Sequence, residues 1–150
     1  MTVIEPAEAR TQDAEAWDAE VLAAQARAHY MQSSAWARTR EGSPWTALRD
    51  RIPVDGAEYP VQLFARKAPL AGTLYHAARI AGVTPAHVAA LTERARSYPK
   101  HVFAVKAEVF QPYDQTLVDA FEAAGWVRSV SSQYEHAVMV DLSGSLDEVA

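Results

Sequence analysis

Trp17, Val21, Ala24 and Ala28 recur at the intervals of one helical face, so the periodicity predicts a helix from about Asp13 to Ala28. Thr11 is placed to cap it, and a short strand at Thr2 to Glu5 precedes it. A second helix, from about Gln32 to Glu41, should stop near Gly42, and Pro44 prevents its resumption. Strand-like segments follow at Thr46 to Ile52, Tyr59 to Ala68 and Thr73 to Ala78, the first two joined across the hairpin dipeptide Asp55-Gly56. In the middle segment Val61, Leu63 and Ala65 alternate with Gln62, Phe64 and Arg66, which predicts one face better buried than the other.

Thr84-Pro85 is a strong helix start, because threonine caps and proline occupies the first turn, where its missing donor costs nothing. Val88, Leu91 and Ala95 mark the buried stripe of this helix, which ends by Pro99. The dense apolar run His101 to Phe110 then reads as the centre of the sheet. Asp114 caps a further helix that turns Leu117, Val118 and Phe121 inward and ends at Gly125. Strands at Trp126 to Ser131 and His136 to Leu142 complete the series. Strand, two helices, three strands, helix, strand, helix and two strands make an α+β fold of mixed pairing, in the order of the acetyltransferase-like (GNAT-type) lobe. With neither repeats nor linkers, residues 1–150 form a single lobe.

Composition narrows the function classes. Apolar residues make up 49% and charged ones 22% of the 150, ordinary globular usage. No stretch nears the roughly 18 apolar residues of a membrane span, and Glu5, Glu8, Asp13 and Glu15 give the first residues the wrong charge for a signal peptide, which places the chain in the cytoplasm. Without cysteine there are no disulfides, thiolate chemistry or cysteine zinc sites. His29, His76, His87, His101 and His136 never fall three to five apart, so no helical pair offers a metal site.

A net charge of −5 argues against general nucleic-acid binding, but it is unevenly spread. Arg27, Arg38, Arg40, Arg49 and Arg51 face only Glu41 and Asp50 in their segment, a local balance of +3. Such a segment is either a solvated helix face or a small anionic site, since arginine matches phosphate with a planar fork.

The chemistry of a coenzyme A enzyme is not visible. Its pyrophosphate would sit on a glycine-rich turn at a helix start, whereas Gly42, Gly56, Gly72, Gly82, Gly125 and Gly144 lie far apart. Glu108 and Asp141 are the oddest acids, both inside strands; each is either a general base or an outward-facing carboxylate.

Gln32, Ser33 and Trp36 form a Q-S-x-x-W pattern ahead of Arg40. Leu74-Tyr75 with Arg79, Ala123 to Trp126 ("AAGW") and Val138 to Ser143 ("VMVDLS") follow in order. In these four places the chain resembles the FemA/FemB-like peptidoglycan bridge aminoacyltransferases. The resemblance implies transfer of an aminoacyl group from aminoacyl-tRNA to the stem peptide of a peptidoglycan precursor, lipid II or UDP-muramoyl pentapeptide, for cell-wall biogenesis, with neither metal nor coenzyme as cofactor. It implies substrate-binding roles for Arg40, Tyr75, Arg79, Gln32 and Trp36, Arg40 on the precursor's phosphates, although Gln32 and Trp36 serve equally well as structural residues, Trp36 as a core anchor on the first helix. No catalytic residue is assigned. The family's proline and glycine-proline are replaced around Ala77, Ile80 and Ala81, and no acid stands between Ile80 and Thr84.

Ser145 and Glu148 have the spacing of a capping box, the first turn of a helix. In the family such a helix opens a second lobe, so the chain is expected to be the acceptor-side lobe alone, with an exposed apolar patch and the tRNA held by a missing lobe or a partner polypeptide. The alternatives are a non-catalytic interaction lobe of a split enzyme and a small acetyl-coenzyme A-dependent N-acetyltransferase.

Overall fold

The computed structural model describes residues 5–6 and 11–130. Along the chain they form β1 (Glu5–Pro6), α1 (Thr11–Ala24), a 3-10 turn (Tyr30–Gln32), α2 (Ser34–Arg38), β2 (Trp45–Val54), β3 (Ala57–Ala68), β4 (Gly72–Ile80), α3 (Pro85–Ser97), β5 (Val102–Val109) and α4 (Gln115–Ala123). The fold is α+β. The strands lie in numerical order in one sheet, antiparallel except for the parallel β4–β5 pair.

Local signals account for most of the boundaries. Asp55 and Gly56 take left-handed φ angles of 49° and 83°, as a two-residue hairpin turn between right-twisted strands requires. Asp114 accepts from the Thr116 amide at 2.9 Å to start α4. At its far end Gly125 (φ 88°) donates to Glu122 O at 3.0 Å and Trp126 to Phe121 O at 3.0 Å, the paired bonds of a Schellman stop. The Trp126 ring then packs edge-on to Phe121 and donates to Thr92 Oγ1 at 2.8 Å. Trp126 therefore anchors the helix end, and residues 126–130 form no strand. The strand expected at His136 to Leu142 and the helix start at Ser145 lie outside the described residues.

Three other expectations are corrected. The first helix ends at Ala24, four residues early, and Arg27 takes a left-handed φ of 58° just beyond it. The second begins at Ser34, because Ser33 stays extended and its hydroxyl accepts from the Trp36 amide at 3.2 Å. The third concerns the sheet. Among the described residues β5 lies at the end of the order and is half-buried, whereas β3 is buried continuously from Tyr59 to Phe64. Both faces of β3 are covered: α3 and α4 on the side of Val61 and Leu63, and α1, the 3-10 turn and α2 on the side of Gln62 and Phe64. The alternation in its sequence thus distinguishes two buried environments.

The covered faces are fastened by buried polar groups. On the α3 side the fully buried Asp50 carboxylate accepts from Arg94 Nε and Nη2 (2.7 Å each), Tyr98 Oη (2.8 Å) and the Arg51 amide (2.9 Å). Four donors compensate the desolvation of one charge and tie α3 to β2. On the α1 side Arg49 and Arg51 lie over the Trp17 ring, 5.0 and 5.7 Å from its centroid. Arg51 also forks onto Glu20 at 2.8 and 3.1 Å. Two arginines of the basic segment therefore hold a helix to the sheet.

The β3–β4 ladder runs from Ala68↔Gly72 only to Leu63↔Ala77. Beyond that pair the strands separate, and side-chain amides fill the gap. Gln32 Nε2 donates to Gln62 O (3.2 Å) and Ala78 O (2.6 Å), while its Oε1 accepts from the Gln62 amide at 2.8 Å. Gln25 spans the next step, donating to Pro60 O at 2.8 Å and accepting from the Ala81 amide at 3.1 Å. Gln62 answers by donating to Met31 O and Ser33 O, both at 3.0 Å. Pro60 and Gln62, two residues apart, present their backbone groups to the same edge of β3. The donor that Pro60 lacks would therefore point into this gap, which is why an interior strand tolerates proline here.

Replacing Gln32 with leucine should leave the Gln62 amide and the Ala78 carbonyl without partners. The expected loss is about 2–4 kcal/mol of unfolding free energy, read from urea denaturation; unchanged stability would mean that these groups find other partners.

Candidate functional site

On the α2 side of the sheet, over the paired residues Phe64 and His76 and beside the point where β3 and β4 part, lies a cleft of about 270 Å³. Met31, Phe64 and Ala78 form its apolar floor. The Ser33 cap aims the short α2 so that Trp36 forms one wall, edge-on to Tyr30 at 5.1 Å. After α2 the chain turns through Arg40 toward Gly42, whose φ of 75° reverses it, and the Arg40 guanidinium settles 4.3 Å from the Trp36 ring centroid. Trp45, at the start of β2, continues the rim, with the guanidinium of its ladder partner Arg66 5.4 Å from its own centroid. Two guanidinium–indole stacks thus border one opening.

The opposite wall is ionisable. His76 of β4 and Lys106 of β5 are register partners that both line the cleft. Glu108, two residues along β5 and so on the same face, lies 3.0 Å from Lys106 Nζ and 3.3 Å from His76 Nε2. Lys106 Nζ also donates to Val130 O at 2.9 Å. Burial, reinforced by Lys106, lowers the pKa of His76 below the ordinary histidine value, and the Glu108 carboxylate opposes this only in part.

The residues singled out by resemblance divide among four places. Arg40 and Trp36 meet at the cleft, and Trp36 is half-buried there and not a core anchor on α1. Gln32 lies behind the floor, wholly buried, with its amide committed to backbone groups of β3 and β4. Tyr75 points to the other face of β4, where it packs against Tyr98 at 5.0 Å and its hydroxyl pKa is raised by burial and then by the Asp50 charge. Arg79 sits on a bulge, because three steps of β4 from Ala77 to Ile80 match two of β5 from Ala107 to Val109. Its φ is 55°, a strained value for a residue with a side chain, and its guanidinium lies 5.6 Å from the Phe110 ring. His76, Lys106 and Trp45 had no signal beyond their types, although the period of two in Lys106-Ala-Glu108 already put those two charges on one face.

The turn into α3 is the place where a coenzyme pyrophosphate would seek backbone donors. Here the Ala81 amide is bound by Gln25 (3.1 Å), the Val83 amide by Gln111 Oε1 (2.8 Å) and the Thr84 amide by His87 Nδ1 (3.3 Å). Gln111 Nε2 donates to Val83 O as well, and Tyr59 Oη donates to Ala81 O at 2.7 Å. Burial raises the Tyr59 pKa, keeping that donor protonated. Among the described residues no three or more His, Asp or Glu side chains converge as a metal site, and no helix is long and apolar enough to cross a membrane.

His29, His76 and His87 all have pKa values lowered by burial. The unfolded chain therefore binds more protons than the folded one once the pH falls through the ordinary value of about 6.5, so stability present above it is lost below. Urea midpoints should fall from pH 8 to pH 5.5, and a smaller fall is expected in His76→Gln; a flat profile for the parent chain would contradict the burial of these rings. Comparison of the chain with family models, with curated proteins and with solved structures returns no match.

Proposed function

We propose that this chain is an acyl-transfer lobe of the GNAT type whose cleft binds an anionic peptidoglycan precursor and presents its peptide amine to an aminoacyl ester carried by tRNA. The observation that carries the reading is the cleft itself. Arg40, stacked on Trp36 at one rim, and Lys106, on the facing wall, put two cations around an apolar floor, an arrangement suited to phosphates joined to a bulkier organic body. The parallel β4–β5 pair, broken by the Arg79 bulge, supports the fold assignment. The FemA/FemB-like motif order supports the choice of donor and acceptor.

The main competitor is an acetyltransferase using coenzyme A. It is disfavoured because the amides of Ala81, Val83 and Thr84 are already engaged by side chains. Aminolysis of an activated ester needs little beyond positioning and exclusion of water, since holding two reactants in line removes much of the entropic barrier. No coenzyme phosphate has to be accommodated.

Titration calorimetry with UDP-muramoyl pentapeptide should register binding that weakens with salt. Arg40→Ala should reduce affinity by about 10- to 100-fold, the scale of one charge-assisted hydrogen bond, and flatten the salt dependence. Saturable binding of acetyl-coenzyme A, or none of the precursor, would reject the reading; equal affinity in the variant would remove Arg40 from the site.

A further inference from the structure

Of the His76–Glu108–Lys106 cluster, only Lys106 enters the phosphate contacts just described; His76 and Glu108 play no part in them. The cluster is also costly. His76, Glu108 and Lys106 side chains are only 13%, 10% and 23% exposed, in a wall where apolar residues such as the neighbouring Leu74 would fit without desolvating charge. Ionisable groups gathered at such expense beside a cleft mark places where protons move.

Resting on the acyl-transfer reading, we propose that His76 is the base that takes the proton from the acceptor's primary amine as it attacks the donor ester, with Glu108 as its positioning residue. The geometry defines the roles. His76 Nε2 is fully buried and faces the Glu108 carboxylate at 3.3 Å, so the proton of the neutral ring belongs on Nε2 and the lone pair on Nδ1. A carboxylate holding one ring nitrogen while the other accepts a proton is the division of labour of a histidine base. The contact is longer than a mature hydrogen bond, and catalytic contacts of this kind shorten when substrate is bound. Lys106 holds Glu108 from its other oxygen at 3.0 Å, fixing the carboxylate beside the ring.

The charged groups facing His76 are Glu108 and Lys106 on β5, with Arg40 across the cleft after α2 and Arg66 of β3 at the rim on Trp45; Trp45 of β2, with its ring centroid 6.3 Å away, carries no charge itself. Burial and Lys106 hold the ring neutral near neutral pH, which is the form a base requires. In the step itself, the amine lone pair forms the C–N bond to the ester carbonyl carbon. His76 Nδ1 receives the proton that this nitrogen loses, the ester C–O bond breaks, and His76 returns the proton to the departing hydroxyl oxygen. The balance needs neither oxidant nor metal.

The direct test follows the His76 ring nitrogens of the whole chain by NMR across pH, with UDP-muramoyl pentapeptide and with the same compound acetylated at its acceptor amine. The amine-bearing precursor should displace the Nδ1 signal and its titration midpoint, and the acetylated one should bind without doing so. Glu108→Gln should lower the midpoint further and mix the two neutral tautomers. With total aminoacylated tRNA as donor, His76→Gln should lower kcat by about 10²- to 10⁴-fold at unchanged KM, and Glu108→Gln should move the acid limb of kcat to lower pH. A precursor that binds and leaves His76 undisturbed, or a His76→Gln variant with wild-type kcat, overturns the base assignment while leaving the precursor reading intact. No binding of either compound overturns that reading itself.

Discussion

A buried backbone amide or carbonyl must find a partner, and where β3 and β4 part those partners are lost to the sheet. The structure depends on how this shortage is met. Gln32 and Gln25 stand in for the missing strand between Pro60–Gln62 and Ala78–Ala81, and Gln111 does the same for Val83 on the side of β5. A glutamine amide carries two N–H donors and a carbonyl acceptor in one plane, so Gln32 can donate to both strands while accepting from one of them. Because Gln25 directly follows α1 and Gln32 closes the 3-10 turn before α2, the same bonds that close the gap place α2 at its edge. The cleft and its Trp36–Arg40 wall are a by-product of that repair.

The two faces of the sheet solve different problems. Under α3, one carboxylate with four donors, Asp50, gathers Arg94 of α3, Tyr98 at its C-terminal cap and Arg51 of β2 into one support, and burial and the Asp50 charge raise the Tyr98 hydroxyl's pKa so that it remains a donor. Under α1, Trp17 is fixed by its indole N–H to Gln32 O at 2.8 Å and covered by Arg49 and Arg51. The α3 side thus backs β4 through Tyr75, while the opposite side of that strand carries His76 and opens to solvent. Adjacent residues of one strand are assigned to scaffold and to cleft by the pleat alone.

What could be read in the amino-acid order was what is local. Asp55-Gly56, Thr84-Pro85, Asp114 and Gly125 act within a few residues of themselves, and each appears where its chemistry demands. Arg27 ends α1 without a glycine, so its stop left no mark. The centre of the sheet was misplaced because the apolar run of β5 is the denser one, whereas β3 hides its burial behind Gln62, a polar residue whose backbone and side-chain amide N–H groups find partners only in the sequence-distant stretch Met31 to Ser33. The cleft was half legible. Trp36 and Arg40 lie one helical turn apart and stack, but the pairing of His76 with Lys106 depends on a parallel register that β-strand sequences do not disclose.

Pro60 gives the opening between β3 and β4 a permanence that packing alone would not. An imide nitrogen can never donate, so no rearrangement of side chains could zip the two strands into a continuous ladder past that point. The wedge is written into the covalent chain, and no exchange of the side chains that fill it could let the sheet heal shut there.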